Sequence, residues 1–269
     1  MRGVRMGFNG IASRYERDSL IQKSAADKLI SLLDIRRDDA VLDLGCGTGS
    51  LTRKLRALTD GKVMGMDPSE GMIHEAESNR GGLDIIFKVE TAERLAHDDS
   101  FTVIFCNSAF QWFRDPLNAL KNCYRALHRG GRMGVQAPAK KEYCPNFLEA
   151  IDAVAGDPRT ATIFAGFRPP WLFLDAAEEY ASLFKQAGFI VPFAKIETVS
   201  TLHSPGEVMT IFESGAAAGY LNQEYYSTKL DEAYERAFRE IVRESFHNQA
   251  NAQGKVELVF NRIYLVAVK

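Results

Sequence analysis

The stretch AVLDLGCGTGS at residues 40–50 determines the fold that we expect for the whole chain. An apolar run that contains one acid leads into three glycines alternating with small residues, and a helical pattern follows. Glycine adopts turn dihedrals that other residues avoid, and it allows a ligand to approach the backbone closely. The stretch therefore predicts a strand over residues 40–44, a tight turn, and a helix from about Ser50 to Leu58.

The glycine spacing and the preceding acid distinguish this turn from the dinucleotide-binding fingerprint. That fingerprint reads G-x-G-x-x-G and places a pyrophosphate at a helix N-terminus. Here the spacing is G-x-G-x-G, and Ser50 occupies the position of the third fingerprint glycine. Asp43 would repel a pyrophosphate and favour a cationic ligand. S-adenosylmethionine meets this condition because it carries an amino group and a sulfonium and no phosphate, although many glycine turns serve structure alone.

A second acid follows the next predicted strand, residues 62–66. Asp67 lies about twenty residues beyond the glycines, where Rossmann-type folds place a carboxylate on the ribose hydroxyls. One carboxylate pairs well with two O–H donors. The alternative is that Asp67 caps a helix that begins at Pro68. Because its position and residue type agree with the glycine turn, we favour ribose binding.

Strands and helices alternate along the first half of the chain. Apolar runs at residues 84–88, 101–106 and 132–137 predict further strands, with helical patterns between them. This order predicts an α/β fold built on a Rossmann-like, doubly wound sheet, with ligands at the carboxyl ends of the strands. Residues 107–112 follow one of these ends and are expected to reach the same edge.

The second half of the chain is less regular. Residues 138–174 are rich in proline and aromatic residues, and residues 205–250 have a helical pattern. We interpret both as insertions over the substrate site of a single domain whose cofactor-binding core is residues 1–137. Residues 256–268 are strand-like, and Asn261-Arg262 is expected to bend or bulge that strand.

Composition limits the classes of function. The net charge of −2 gives no electrostatic case for binding nucleic acid or an anionic membrane. The four cysteines lack metal-ligand spacing, so we expect no metal site and reduced thiols in a cytoplasmic protein. Neither a secretory signal nor a membrane span is predicted.

With these elements in place, the chain resembles the class I S-adenosylmethionine-dependent methyltransferases across nearly its full length. Residues 43–49 look like their first motif, and residues 66–69 with Met72 look like their second. The early Phe8…Tyr15 element and NSAFQW at residues 107–112 are similar to one branch of the family. That branch holds trans-aconitate methyltransferase and malonyl-carrier-protein methyltransferase, which methylate free carboxylates. The resemblance implies a seven-stranded sheet whose last strand is antiparallel.

The resemblance also implies which residues bind the cofactor. The glycines would pass under its methionine part, Asp43 would meet the amino group, and Asp67 would hold the ribose. Met72 and the backbone at Thr91-Ala92 would surround the adenine, and Asn107 would approach the methionine end. The residues expected to bind the cofactor are Asp43, Gly45, Cys46, Gly47, Gly49, Asp67, Pro68, Met72, Thr91, Ala92 and Asn107.

Three further residues are expected at the methyl group by the same resemblance. Gln111 and Trp112 would lie near it, and Tyr15 would close over the cofactor. Thr91 stands where many relatives have an acid that accepts from the adenine amino group. Because threonine carries no charge, weaker adenine recognition or another acceptor is expected.

These residues predict an enzyme that moves a methyl group from S-adenosylmethionine to a carboxylate or hydroxyl oxygen of a small molecule. The sulfonium is an activated leaving group, so alignment supplies much of the catalysis. A carboxylate acceptor is ionised near pH 7 and needs no general base. His203 is the histidine that we would test as a base. Arg168 is a candidate partner for an acceptor carboxylate, but a packing role is favoured.

Two other functions remain open on the sequence. One is a catalytically silent cofactor-binding protein of the same fold. The other is an NAD-dependent oxidoreductase on a doubly wound sheet, although the G-x-G-x-G spacing and Asp43 weigh against it.

Overall fold

The computed structural model describes residues 20–269 of the chain, which divide into two compact units. The first, called the sheet unit below, comprises residues 20–141, 171–197 and 262–269. The second, called the aromatic unit, comprises residues 142–170 and 198–261 of the described chain. The predicted Phe8…Tyr15 element, and with it the expected role of Tyr15, lies outside the described residues.

Seven strands form one mixed sheet. They are β1 (Val41–Leu44), β2 (Val63–Asp67), β3 (Ile86–Val89), β4 (Phe101–Asn107), β5 (Leu127–Pro138), β6 (Ile190–His203) and β7 (Val256–Val268). Their order across the sheet is β3-β2-β1-β4-β5-β7-β6. The pairs β3–β2, β2–β1, β1–β4 and β4–β5 are parallel, whereas β7 runs antiparallel to β5. This topology confirms the predicted Rossmann-like sheet with an antiparallel last strand.

Ten helices are described, five in each unit. The sheet unit contains α1 (Leu20–Leu33), α2 (Ser50–Arg56), α3 (Glu70–Ser78), α4 (Pro116–Ala126) and α7 (Ala177–Gln186). The aromatic unit contains α5 (Pro145–Gly156), α6 (Ala161–Phe164), α8 (Pro205–Glu213), α9 (Ala217–Tyr220) and α10 (Glu232–Asn248). Short 3₁₀ turns occur at Ala92–Arg94, Phe110–Trp112 and Gln223–Tyr225. None of the helices within residues 20–269 combines the length and apolar character that a membrane crossing requires.

The two faces of the sheet bury different apolar clusters, because successive strand residues point to opposite sides. Leu42 and Ile104 belong to the cluster that includes residues of α4 and α7. Their neighbours Val41 and Val103 belong to the cluster that includes residues of α1 and α2. Helices therefore cover both faces of the sheet, which leaves the strand ends as the place where polar side chains gather.

Strand β5 begins at Leu127, earlier than the predicted start at Arg132. Gly130 has a φ of 79°, and the β4–β5 register shifts between Phe101 and Val103. The glycine thus allows an irregular, bulged start to the strand where the sequence suggested only a helix end.

The part of β7 that pairs with β5 is regular and ends at Arg262, so the bend or bulge expected at Asn261-Arg262 stays a prediction. The pairing runs without a shift from Arg132↔Val268 to Pro138↔Arg262. Arg262 is 3% exposed, and its guanidinium is hydrogen-bonded by the Gln136 side chain. The arginine therefore stays in the regular strand because a buried amide accepts from it.

The aromatic unit has its own core of rings. The Phe147 ring lies 5.1 Å from Phe212, 5.7 Å from Phe246 and 5.5 Å from Phe260, measured between centroids. Buried tyrosines surround this core, and several pair through their hydroxyls, as described below. Aromatic rings bury large apolar areas, so this packing gives the unit a hydrophobic core of its own.

Candidate cofactor and acceptor site

The glycine turn after β1 has the backbone that the sequence predicts. Gly45, Gly47 and Gly49 have φ angles of 80°, 54° and 75°, in the region that favours glycine. Space is restricted as well: a Cβ on Gly45 would overlap the Cβ of Ala109, and one on Gly49 would lie 2.7 Å from Phe87 Cζ. The turn is held to β2 because the N–H groups of Gly45 and Cys46 both donate to the Met66 carbonyl, at 2.8 and 2.9 Å. All three glycines are thus required by conformation, and Gly45 and Gly49 are required by packing as well.

Asp43 is a buried carboxylate directly before this turn. It is 2% exposed, and its Oδ2 accepts a hydrogen bond of 2.6 Å from Thr52 Oγ1 in α2. Burial raises the pKa of Asp43 to about 7, the Thr52 hydrogen bond opposes that rise, and the charge of Asp67 adds to it. The ionised form is therefore costly unless a positive charge comes close.

Asp67 ends β2 beside the same turn. Its Oδ2 accepts from the Gly47 N–H at 3.0 Å, and its Oδ1 accepts from the Ser69 N–H at 2.9 Å. Burial raises the pKa of Asp67 to about 6, although the two backbone hydrogen bonds lower it. Each carboxylate oxygen retains one acceptor position, which is what a pair of vicinal hydroxyls would need. The helix cap is Ser69, whose Oγ accepts from the Met72 N–H at 3.2 Å, so the capping alternative for Asp67 is wrong.

Asp39, at the opposite end of β1, shows what a structural acid looks like in the same sheet. Its Oδ2 accepts from Arg132 Nη2 at 2.7 Å, and its Oδ1 accepts from Thr102 Oγ1 at 2.6 Å. Burial alone would raise its pKa, but the hydrogen bonds from Arg132 and Thr102 keep the pKa below the usual value. Within residues 20–269, Asp43 and Asp67 have no such cationic partner.

The predicted adenine-side residues follow β2 and β3. Met72 is 1% exposed in the first turns of α3, and Pro68 is exposed. Ala92 is 4% exposed, and its carbonyl accepts from Asn122 Nδ2 at 3.2 Å. Thr91 is partly exposed and makes no side-chain cap to the 3₁₀ turn that follows it. The Glu90 N–H donates to the Asp67 carbonyl at 3.1 Å, which joins the ends of β2 and β3.

The segment after β4 is strained and largely buried. Ser108 has a φ of 56°, uncommon for a residue other than glycine, and its N–H donates to the Gln136 carbonyl at 2.7 Å. Asn107 is 9% exposed. Gln111 is 6% exposed, and its Nε2 donates to the Ser108 carbonyl at 2.9 Å. Strained backbone of this kind often occurs at ligand sites, where the surrounding structure holds it in place.

Two buried polar atoms near these strand ends have no hydrogen-bond partner in the described part of the chain. They are Oγ1 of Thr48, within the glycine turn, and Oε1 of Gln111. A buried group without a partner costs roughly 1–3 kcal/mol. Together with the unpaired acids, these atoms fit a polar, cationic molecule held at the strand ends.

Trp112 lies among aromatic residues of the sheet unit. Its ring is 5.6 Å from the Trp171 ring in an edge-to-face arrangement, and Trp171 stacks on Phe173 at 6.0 Å. The Leu172 N–H donates to the Gln111 carbonyl at 2.9 Å, which ties residues 171–173 to the segment after β4. Residues 171–173 thus contact the predicted pair Gln111 and Trp112. The sequence analysis did not predict this contact.

Three polar residues of the site were missed by the sequence analysis. Thr52 was assigned only to helix α2, although it lies nine residues after Asp43. Gln136 and Arg262 are 0% and 3% exposed in strands that otherwise read as apolar. A polar side chain inside a buried strand is the signal that could have identified these last two.

The suggested acceptor-binding residues lie in the aromatic unit. Arg168 is exposed, and its Nη1 donates to the Phe167 carbonyl at 3.1 Å. His203 Nε2 is 2.8 Å from Thr201 Oγ1. In the same unit, Tyr143 and Tyr220, which were not among the residues suggested above, are buried, with their hydroxyls 3.3 Å apart. No described contact gives Arg168 a carboxylate partner.

Comparisons with known proteins agree with this geometry. The Methyltransferase domain family matches residues 42–135. Malonyl-acyl-carrier-protein O-methyltransferase of Bacillus cereus is 34% identical over 129 residues, covering 46% of this chain and 48% of that protein. Trans-aconitate 2-methyltransferase of Methylobacterium nodulans is 26% identical over 246 residues, covering 91% of this chain and 92% of that protein.

A solved structure shows the same fold. The S-adenosylmethionine-dependent methyltransferase from Mesorhizobium loti superposes with a TM-score of 0.52 at 15% identity, covering 92% of this chain and 100% of that one. Residues 42–135 therefore match a methyltransferase domain, and the chain shares the fold of an S-adenosylmethionine-dependent methyltransferase, as its sequence motifs predicted. Within that class, it is similar to the malonyl-carrier-protein and trans-aconitate branch. The matched region spans about half the length of the curated Bacillus cereus relative.

Proposed function

We propose that this protein transfers a methyl group from S-adenosylmethionine to an oxygen of a small molecule, by in-line displacement. We further propose that this oxygen belongs to a carboxylate or a hydroxyl. The observation that carries the proposal is a pair of acids, the buried Asp43 and the partly buried Asp67, at neighbouring strand ends without a cationic partner among the described residues. A ligand with a positive charge relieves the repulsion between them.

The contrast with Asp39 supports a ligand role for these two acids. All three carboxylates are at least partly buried in one sheet, yet among the described residues only Asp39 has an arginine beside it. An unpaired buried carboxylate costs free energy, and such groups concentrate at functional sites. The amino group of the cofactor would supply the charge that Asp43 lacks, and the ribose hydroxyls would donate to the remaining acceptor positions of Asp67.

The other cofactor contacts are proposed from position along the strand ends. Gly45, Gly47 and Gly49 would let the methionine part lie against bare backbone, and the Cys46 thiol, whose pKa is raised by burial, would only pack. Pro68 and Met72 would border the adenine. So would the Ala92 N–H, because the Ala92 carbonyl is already engaged by Asn122.

When bound, the cofactor supplies an activated methyl group on its sulfonium. The task left to the protein is alignment, since effective molarity alone lowers such a barrier by several kcal/mol. Gln111 and Trp112 would border the methyl group and exclude water from it. The Trp171 ring, which stacks on Phe173, packs against the Trp112 ring and would limit its rotation.

A carboxylate acceptor fits the described strand ends, where no histidine is found among the site residues. Malonyl-carrier-protein and trans-aconitate, for which the two curated relatives are named, both carry carboxyl groups. A carboxylate is ionised near pH 7 and attacks without losing a proton. A hydroxyl acceptor would need a base, for which His203 is the candidate. The insertions at residues 138–174 and 205–250 remain our candidate for the cover over the acceptor.

An acceptor screen tests the proposal directly. Purified protein is incubated with S-adenosylmethionine and a panel of di- and tricarboxylic acids and hydroxy acids, and S-adenosylhomocysteine release is measured. We expect release with at least one carboxylic acid, and its loss in Asp43→Asn. Asp60→Asn, an exposed acid at the far end of β2, is the matched control.

The outcomes separate the three functions considered. Tight binding of S-adenosylhomocysteine without turnover of any acceptor would support a catalytically silent binding protein. Thermal stabilisation by NAD, with none by S-adenosylmethionine, would overturn the proposal in favour of an oxidoreductase.

A further inference from the structure

A line of three buried polar side chains runs from β7 through β5 to the end of β4. Gln136 is 0% exposed, and its side-chain oxygen accepts from Arg262 Nη1 at 2.9 Å and from the Ala137 N–H at 3.1 Å. Its nitrogen donates to Asn107 Oδ1 at 2.9 Å and to Ser108 Oγ at 3.1 Å. Every hydrogen-bonding position of this amide is therefore used within the sheet unit.

The Arg262 guanidinium and the Ala137 N–H determine how the amides of Gln136 and Asn107 are oriented. A guanidinium and a backbone N–H can only donate, so the Gln136 oxygen must face them. The Gln136 nitrogen must then face Asn107, and the Asn107 atom that accepts its hydrogen bond must be Oδ1. Asn107 Nδ2 is consequently turned away from Gln136, and no described residue accepts from it.

Asn107 is placed where this orientation matters. It ends β4 next to Ser108, and the following residue, Ala109, lies against Gly45 of the glycine turn. Asn107 also keeps 9% of its surface exposed, whereas Gln136 behind it has none. The Asn107 amide thus presents a pair of N–H donors, with no acceptor among the described residues, at the strand end beside the turn.

We propose that Arg262 and Gln136 are positioning residues that fix Asn107 as a hydrogen-bond donor to the methionine carboxylate of the bound cofactor. This inference rests on the proposed function. In this arrangement the amino group of the cofactor meets Asp43, and the carboxylate meets Asn107. Arg262 thus fixes the orientation of the Gln136 amide, and Gln136 in turn fixes the orientation of the Asn107 amide at the cofactor.

The substitution Gln136→Glu tests this orientation because it is nearly isosteric. The glutamate keeps its contact with Arg262, which also keeps it ionised, but it cannot donate to Asn107 Oδ1. Asn107 then has to turn its nitrogen toward position 136 and its oxygen toward the cofactor carboxylate. We expect the Kd for S-adenosylhomocysteine to rise about 10- to 100-fold, the worth of a hydrogen bond to a charged group.

A second ligand makes the test specific. The decarboxylated analogue of S-adenosylhomocysteine keeps the amino group and lacks the carboxylate, so its Kd should change little in Gln136→Glu. Both values are measured by isothermal titration. Gln186→Glu, which makes the same change at an exposed position of α7, is the matched control and should leave both Kd values unchanged.

An equal effect on the two ligands, or no effect on either, would overturn the inference and leave Gln136 with a structural role only. If Gln136→Glu does not fold, Arg262→Met, which removes the donor that sets the direction, must weaken S-adenosylhomocysteine selectively. Failure of the wild-type protein to bind S-adenosylhomocysteine at all would instead count against the proposed function.

Discussion

The sheet unit and the aromatic unit bury their polar groups in different ways. In the sheet unit, the carboxylates of Asp43 and Asp67 lie at neighbouring strand ends, and their hydrogen-bond donors within residues 20–269 are all neutral. In the aromatic unit, Tyr226 donates to the Tyr220 carbonyl at 2.6 Å and lies 2.9 Å from the Tyr234 hydroxyl. Neutral hydroxyls that satisfy one another stabilise packing, whereas unpaired buried charges are a cost that binding can offset.

This difference distinguishes polar residues that have a structural role from acids that we expect to bind a ligand. Asp39 confirms the point inside the sheet unit itself, because its arginine partner makes it a structural acid. Burial alone would not have distinguished the three acids. What distinguishes them is whether the protein supplies the opposite charge.

Glycine offers the most direct way to compare the two units, because both contain a glycine with a similar positive φ. Gly45 in the sheet unit has a φ of 80° and is crowded by Ala109, whereas Gly254 in the aromatic unit has a φ of 70° and open space around it. We expect Gly45→Ala to destabilise the protein by about 2–5 kcal/mol, from backbone strain plus overpacking. Gly254→Ala should cost about 1–2 kcal/mol, from strain alone.

Urea unfolding of both variants measures these costs. The double variant Gly45→Ala/Ala109→Gly should recover the overpacking part of the loss and keep the strain part. Equal costs for the two single variants would show that close packing at the turn contributes nothing to its glycine requirement.

Removing one of the unpaired acids should have the next largest effect. We expect Asp67→Ala to weaken the binding of S-adenosylhomocysteine by about 1.5–3 kcal/mol, because hydrogen bonds from the ribose to a charged group are lost. Asp60→Ala, at the opposite end of β2, should leave the affinity unchanged. Isothermal titration that finds equal affinity in wild type and Asp67→Ala would rule out the ribose assignment.

The parts of the fold and the site that could be predicted from the sequence are those whose contacting residues lie close together along the chain. The glycine turn, Asp43 and Asp67 lie within a stretch of about thirty residues, where spacing rules for Rossmann-type folds apply. The seven strands and the antiparallel last strand followed from the resemblance and are confirmed. Gln136 and Arg262 were not predicted as partners because they meet only through the pairing of β5 with β7.

The aromatic unit was the least predictable part. Its prolines and aromatic residues identified two irregular insertions, but ring contacts such as Phe147 with Phe260 join residues far apart in the chain. No local pattern encodes such packing, since a ring fits equally well beside many partners of similar size. The role of these insertions over the acceptor stays a prediction.

The pH dependence should differ between the two units. The pKa values of Asp43 and Asp67 are raised to about 7 and about 6, whereas burial raises those of Tyr220 and Tyr234 to about 12. Below pH 7 the two acids become protonated and lose their attraction for a cation. The affinity for S-adenosylmethionine should therefore fall on acidification, by at most about 1.4 kcal/mol per pH unit for each acid.

The same protonation should make the free protein more stable. Because both pKa values exceed the value of the unfolded chain, the folded state binds protons more tightly between about pH 7 and pH 4. The stabilising contribution of these groups is thus present at low pH and is lost as the pH rises through 6 and 7. Acids with lowered pKa values, such as Asp39, contribute a stability slope of the opposite sign, so the effect of Asp43 is taken as the difference between wild type and Asp43→Asn. That difference should have opposite slopes for cofactor binding and for urea unfolding across this range. Parallel slopes would contradict the assignment of these acids to cation binding.

The smallest effect is expected for the tyrosine pair of the aromatic unit, and it tests whether the pair serves packing alone. The Tyr226 hydroxyl donates to the Tyr220 carbonyl, so the Tyr234 hydroxyl must donate to the Tyr226 oxygen. Tyr234→Phe removes that single neutral hydrogen bond and should cost about 1 kcal/mol in unfolding free energy. Tyr226→Phe removes both and should cost about twice as much. A loss of several kcal/mol from Tyr234→Phe alone would contradict the comparison between the units, because it would mean that a neutral hydroxyl here matters as much as a buried charge.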